Sequence, residues 1–168
     1  MAVLNKYVNS DLEADKNAPA FQTYGDKTLT HLATFETAAA DDDGSVFRII
    51  KNVPADLIPV SMEIFCDTLT GSTDWDIGFY EPTINGVDGA VIDVDKLTNT
   101  IDLATAITRA NAEDGLQTLD PSELLEPIYV LAGHTLATKL RGYDIAFTAN
   151  TIGSGVGTIS VITKFVQS

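Results

Sequence analysis

The sequence predicts an all-β fold, an antiparallel β-sandwich of jelly-roll type with about eight strands and one or two short helical insertions. Three observations lead there. Val60, Met62, Ile64 and Cys66 alternate with more polar neighbours, and so do Trp75, Ile77 and Phe79. The same period of two returns in Tyr143, Ile145 and Phe147, and in Ile159, Val161 and Phe165. A period of two puts each set on one face of a strand, so two sheets can bury these faces against each other. Finally, Gly, Ser and Thr loops separate the strands, and nothing alternates strand with long helix as a parallel α/β sheet requires.

Taken in order, residues 1–26 form a first unit, a polar arm with no sustained period and with aromatic anchors at Tyr7, Phe21 and Tyr24. Such a segment either stays disordered or extends along another surface, where each aromatic ring buries a large apolar area. The sandwich itself is assigned to residues 27–168. Residues 28–37 read as its first strand. Residues 41–45 (DDDGS) read as a turn in which Gly44 takes positive φ and the Asp side chains bond nearby backbone. Residues 45–51 make a second strand, and Pro54 marks the following connection because it cannot donate to a ladder. Strands at 59–67 and 74–81 follow, then a turn around Pro82 and Gly86 and a short strand over 89–94.

The period then changes. Ile101, Ala104, Thr105 and Thr108 share one side at helical spacing, which predicts a short helix within 101–113, with Asp102 near its start and Arg109 near its end. Asp120, Pro121 and Glu123 carry a capping-box spacing and predict a second helical turn that Pro127 stops. Three more strands, over 128–140, 142–150 and 157–166, close the fold. The chain has 168 residues, which suits one sandwich with a sizeable core.

Charge narrows the function. The net charge is −14, and it is concentrated: residues 52–127 carry fifteen acidic and two basic groups, whereas residues 128–168 carry one acidic and three basic. No basic stripe is present, so nucleic-acid phosphate repels the chain and no nucleic-acid partner is expected. No apolar run reaches the ~18 residues of a membrane span, and no membrane partner is expected. The N-terminal residues lack the apolar core of a secretory signal, which predicts synthesis in a cytoplasm.

Chemistry is sparse. His31 and His134 are the only histidines, and neither lies in a nucleophile motif or at metal-ligand spacing. The glycine-rich residues 153–157 (GSGVG) join two strands and precede no helix, so they read as an interstrand loop rather than a phosphate cradle. Cys66 is the single cysteine; it excludes an internal disulfide and reads as a buried, inert thiol. The pairs Asp74/Asp76 and Asp93/Asp95 read as acids on the wet face of a sheet, with calcium binding or glycoside cleavage as the competing readings. No catalytic residue, cofactor or metal site is assigned, and no enzymatic activity is expected.

Residues 46–56 (VFRIIKNVPAD), 74–80 (DWDIGFY), 124–133 (LLEPIYVLAG) and 143–150 (YDIAFTAN), through Phe165 and Val166, resemble small capsid-associated structural proteins of tailed bacteriophages, of decoration or cement type. The resemblance spans roughly residues 28–168 and rests on strand-and-turn patterns. It implies a structural virion protein made in the host cytoplasm and held on the capsid exterior, where it decorates or cements capsomers. The implied partners are the major capsid protein and further copies of the chain, with a trimer preferred because shells offer local threefold sites. Tyr7, Phe21 and Tyr24 are then the candidate capsid contacts. The alternative is a carbohydrate- or receptor-binding sandwich of a fibre or adhesin.

Overall fold

The computed structural model describes residues 28–167 and the backbone of a three-residue strand, Asn5–Tyr7. In chain order the strands are β1 (Asn5–Tyr7), β2 (Leu29–Glu36), β3 (Val46–Pro54), β4 (Leu57–Cys66) and β5 (Asp74–Tyr80). They continue with β6 (Val91–Ile101), β7 (Glu113–Asp114), β8 (Gly142–Thr151) and β9 (Thr158–Gln167). One sheet has the order β2-β9-β4-β7 and the other β1-β3-β8-β5-β6. Apart from β1, which runs parallel to β3, all pairings are antiparallel.

That order is a jelly roll. The nested pairs β2/β9, β4/β7, β3/β8 and β5/β6 amount to one long antiparallel ribbon folded at the β5–β6 turn. The additional pairs β9/β4 and β8/β5 roll the ribbon into two facing sheets. The predicted fold class therefore stands. Aromatic side chains from both sheets meet between them: Phe35 lies 4.9 Å from Phe47, Phe47 5.4 Å from Trp75, and Phe147 5.6 Å from Phe35. Trp75, Ile77, Phe79, Tyr143, Ile145 and Phe147 are fully buried, as their alternation predicts.

Several predicted elements are corrected. Residues 101–113 form no α-helix. Ile107 instead pairs with Cys66, its N–H donating to the Cys66 carbonyl at 3.0 Å and its carbonyl accepting the Cys66 N–H at 3.1 Å. Leu103 N–H donates to the Ser72 carbonyl, so the segment runs extended beside the end of β4. Leu103 and Ile107 are both buried by this path, and the β-branched Ile101, Thr105, Ile107 and Thr108 disfavour a helix. Only a 3₁₀ turn, Arg109–Asn111, survives of the predicted helix.

At 120–126 the capping interaction forms without a helix. Asp120 N–H donates to Glu123 Oε2 at 3.1 Å, and the chain continues as consecutive turns up to Pro127. The predicted strand over 128–140 is replaced by a one-turn helix, α1 (Ile128–Leu131), and further turns. Ile128 and Leu131 are its buried residues, a helical spacing continued by the buried C-cap Ala132, and Gly133 with φ +74° ends it. Tyr129 N–H donates to the Ala55 carbonyl and seats α1 on the β3–β4 connection. Finally, Val60 does not join the inward set of β4. A bulge between Pro59 and Ser61 in the pairing with β9 turns it outward.

Candidate functional site

The residues that could have carried catalysis are dispersed and committed. Burial of His31 on β2 pushes its pKa down, which favours the neutral imidazole. His134 follows α1 and bonds the Tyr143 hydroxyl through Nδ1. Cys66 is buried, and desolvation raises its thiol pKa and keeps it protonated. The 153–157 loop joins β8 to β9 as expected, and it packs against the β4–β5 loop. A Cβ at Gly155 would lie 2.5 Å from the Leu69 carbonyl carbon.

The acid pairs divide. Asp76 is not on a wet face: it is buried and accepts hydrogen bonds from Asn150 Nδ2 at 2.6 Å and Thr100 N–H at 3.0 Å, tying β5 to β8 and β6. Asp74 stays half-exposed beside it and takes a longer bond from Asn150. Partial burial, reinforced by neighbouring Asp95, raises the pKa of Asp93. Among the described residues, no group of three or more His, Cys, Asp or Glu side chains is placed to hold a metal. No aromatic side chain among them is exposed, and Trp75, the one tryptophan available for stacking on a sugar ring, is in the core.

Two polar constructions were invisible as motifs. The first lies on β3 and β8, beneath the β5–β6 loop. Arg48 Nη1 donates to Asp144 Oδ2 at 2.9 Å, and both side chains are shut off from solvent, at 2% and 0% exposure. Arg48 also donates to the carbonyls of Glu81 and Gly89, and its guanidinium lies 4.9 Å from the centre of the Tyr80 ring. Asp144 accepts in addition from Asn52 N–H, Thr83 N–H and Thr83 Oγ1. One ion pair thereby clamps the β5–β6 loop onto the sheet. Sequence gave a faint signal for it, since Arg48 and Asp144 each interrupt an apolar strand.

The second is a groove of about 270 Å³ at the β4–β7 edge. Val60, Met62, Leu116 and Leu124 supply its apolar lining, and Glu63, Glu113 and Asp114 its carboxylates. Val60 is turned toward solvent by the β4 bulge, and Leu125 beside Leu124 is 76% exposed. The groove belongs to the acidic part of the chain, residues 52–127.

Of the three candidate capsid contacts, Phe21 and Tyr24 lie outside the described residues. Tyr7 is described only through its backbone, which ends β1 opposite Arg48 on β3.

No protein-family model and no curated protein matches the sequence. Two solved structures share the fold over almost the whole chain. A chain of the "Capsid of Ralstonia phage GP4" superposes with a TM-score of 0.60 at 12% identity, covering 99% of both chains. A chain of the "Cyanophage Pam1 capsid asymmetric unit" gives a TM-score of 0.54 at 13% identity, covering 90% of this chain and 92% of that one.

Proposed function

We propose that the protein is a structural component of a tailed-phage virion that attaches to the outside of the capsid and decorates or cements its capsomers. The observation that carries this reading is the end-to-end likeness of the jelly roll to chains of two phage capsid structures. The absence of a gathered catalytic or metal set among the described residues is compatible with it. A shell under internal pressure fails where capsomers part, and a cement protein resists by burying surface on several subunits at once. Multivalent attachment makes each later contact intramolecular, so modest interfaces sum to high avidity. An interface of about 800 Å² per partner is enough for specificity.

The negative charge favours the outer surface, because packaged nucleic acid repels an acidic protein. Trimers on local threefold positions would multiply the contacts, and the arm with Tyr7, Phe21 and Tyr24 would supply one of them. The test is sedimentation of purified protein with heads assembled from the shell protein of the phage that encodes it. Saturable co-sedimentation with intact heads, and heads that withstand higher temperature when loaded, are expected. Protein that remains in the supernatant at every ratio overturns the reading.

A further inference from the structure

We propose that the β4–β7 edge groove binds an extended basic segment of another protein, one that inserts an apolar side chain between flanking lysines or arginines. The lining calls for both halves of that description. Val60 and Leu124 present apolar surface, 41% and 46% exposed, over a floor of the buried Met62 and Leu116. Groups of this kind gain from burial against an apolar anchor. At about 270 Å³ the groove is below the ~300–1,000 Å³ typical of small-molecule pockets and suited to a single inserted side chain.

Its rim is anionic, and among the described residues only one of its three carboxylates, Glu63, has a cation near it. Glu113 accepts from the Gln117 amide and Asp114 from the Leu116 N–H, and neither forms an ion pair among the described residues. Glu63 reaches Lys164 only at 3.9 Å. β7 also ends its sheet after only two residues, so its outer side is open to an added strand among the described residues.

The occupant is not this chain. Residues 8–27 carry Asp11, Glu13, Asp15 and Asp26 against Lys16 and Lys27, so they share the sign of the rim. In a second copy, Arg48 is buried, and Lys96, Lys139 and Lys164 already face carboxylates; Leu140, flanked by Lys139 and the exposed Arg141, packs against its own core, and the exposed Arg109 stands in the same acidic segment as the groove. A different, basic protein is left. If the proposed function holds, that protein is the capsid shell protein; the partner's identity rests on that reading, whereas the chemistry of the groove does not.

The test is a titration of isotope-labelled full-length protein with the capped peptide Lys-Leu-Lys-Val-Lys, followed by NMR. Lys-Ser-Lys-Thr-Lys and Glu-Leu-Glu-Val-Glu serve as controls. Expected are shifts confined to residues 60–63, 112–116 and 124, with both controls at least about tenfold weaker, a difference of about 1.4 kcal/mol. Glu113→Gln with Asp114→Asn, and separately Leu124→Ser, should each weaken binding about tenfold. These positions are exposed or half-buried, and unchanged spectra elsewhere would show that the variants fold. Raising salt from about 0.1 to about 1 M, which shortens the screening length from about 10 to about 3 Å, should weaken the wild type and leave less to lose in the Glu113/Asp114 variant.

No binding, shifts spread over the whole acidic half, or equal binding of the Lys-Ser peptide would each overturn the proposal. Assembled heads separate it from the broader reading. If the peptide leaves the groove untouched while wild type and variants load equally, the groove proposal fails and the capsid role survives; if the peptide binds the groove while heads take up no protein, the reverse holds.

Discussion

Arg48 and Asp144 show how much a single buried pair can govern in a small sandwich. Each partner lies where an uncompensated charge is expensive, and each also bonds backbone groups of neighbouring segments. Arg48→Met or Asp144→Leu alone should therefore cost about 3–5 kcal/mol in urea unfolding. The double variant should lose less than the sum, because neither charge is left stranded, yet stay below wild type because Asn52 and Thr83 N–H lose their acceptor. Additive losses would mean that the two side chains act independently. Asp93 gives the opposite sign. Its folded-state pKa lies above the usual aspartate value, so the folded protein takes up a proton before the unfolded chain does as pH falls. The ionised form costs stability at neutral pH, and that cost is relieved on acidification through the raised pKa. Asp93→Asn should accordingly raise Tm at pH 7 and reduce the advantage over wild type as the medium approaches pH 4. A lower Tm at pH 7 would contradict the assignment.

At the scale of elements, β5 and β6 come together through glycine. The register jumps from Ile77 opposite Thr98 to Phe79 opposite Asp93, so β6 bulges where it passes Gly78. A Cβ at Gly78 would sit 1.9 Å from the Asp93 carbonyl oxygen. Gly78→Ala should cost roughly 1–3 kcal/mol or more through forced backbone movement, measured by thermal unfolding. Gly86 has open space around it and only its φ of +77° to defend, so its alanine variant should lose clearly less. Equal losses would refute the close-approach explanation.

Alternation made β4, β5, β8 and β9 legible in the sequence, because inward residues at period two have no other economical arrangement in a sandwich. Legibility ended where apolar spacing was shared by two outcomes. Leu103 and Ile107, four residues apart, fit a helix equally well as the irregular extended path they take under β4. The apolar run around Ile128 and Leu131 reads as a strand by composition alone, although Gly133 marks a helix end. The Val60 bulge leaves no local signal, since register is a property of the pair β4/β9. The groove escaped for the same reason: its lining is drawn from β4, β7 and the 124 region, and only folding brings them together.

For the molecule as a whole, the jelly roll separates charge as well as hydrophobicity. Strands β4 to β7 and their connections lie within the segment that holds fifteen of the acidic groups, while the remainder is close to neutral. An acidic half offers orientation on a basic surface and faster encounter with it, effects that fade with salt. Removing residues 1–26 should leave the cooperative unfolding of the sandwich in place and weaken uptake onto heads, read by quantitative gel of sedimented particles. Unchanged uptake would take Tyr7, Phe21 and Tyr24 out of the contact. The most direct measurement is a cryo-EM reconstruction of heads incubated with the purified protein, compared with heads alone. Expected is added density on the outer surface, at symmetry-related positions bridging capsomers, into which the two-sheet fold fits. Identical maps from loaded and bare heads, with the protein recovered free, would contradict a capsid role.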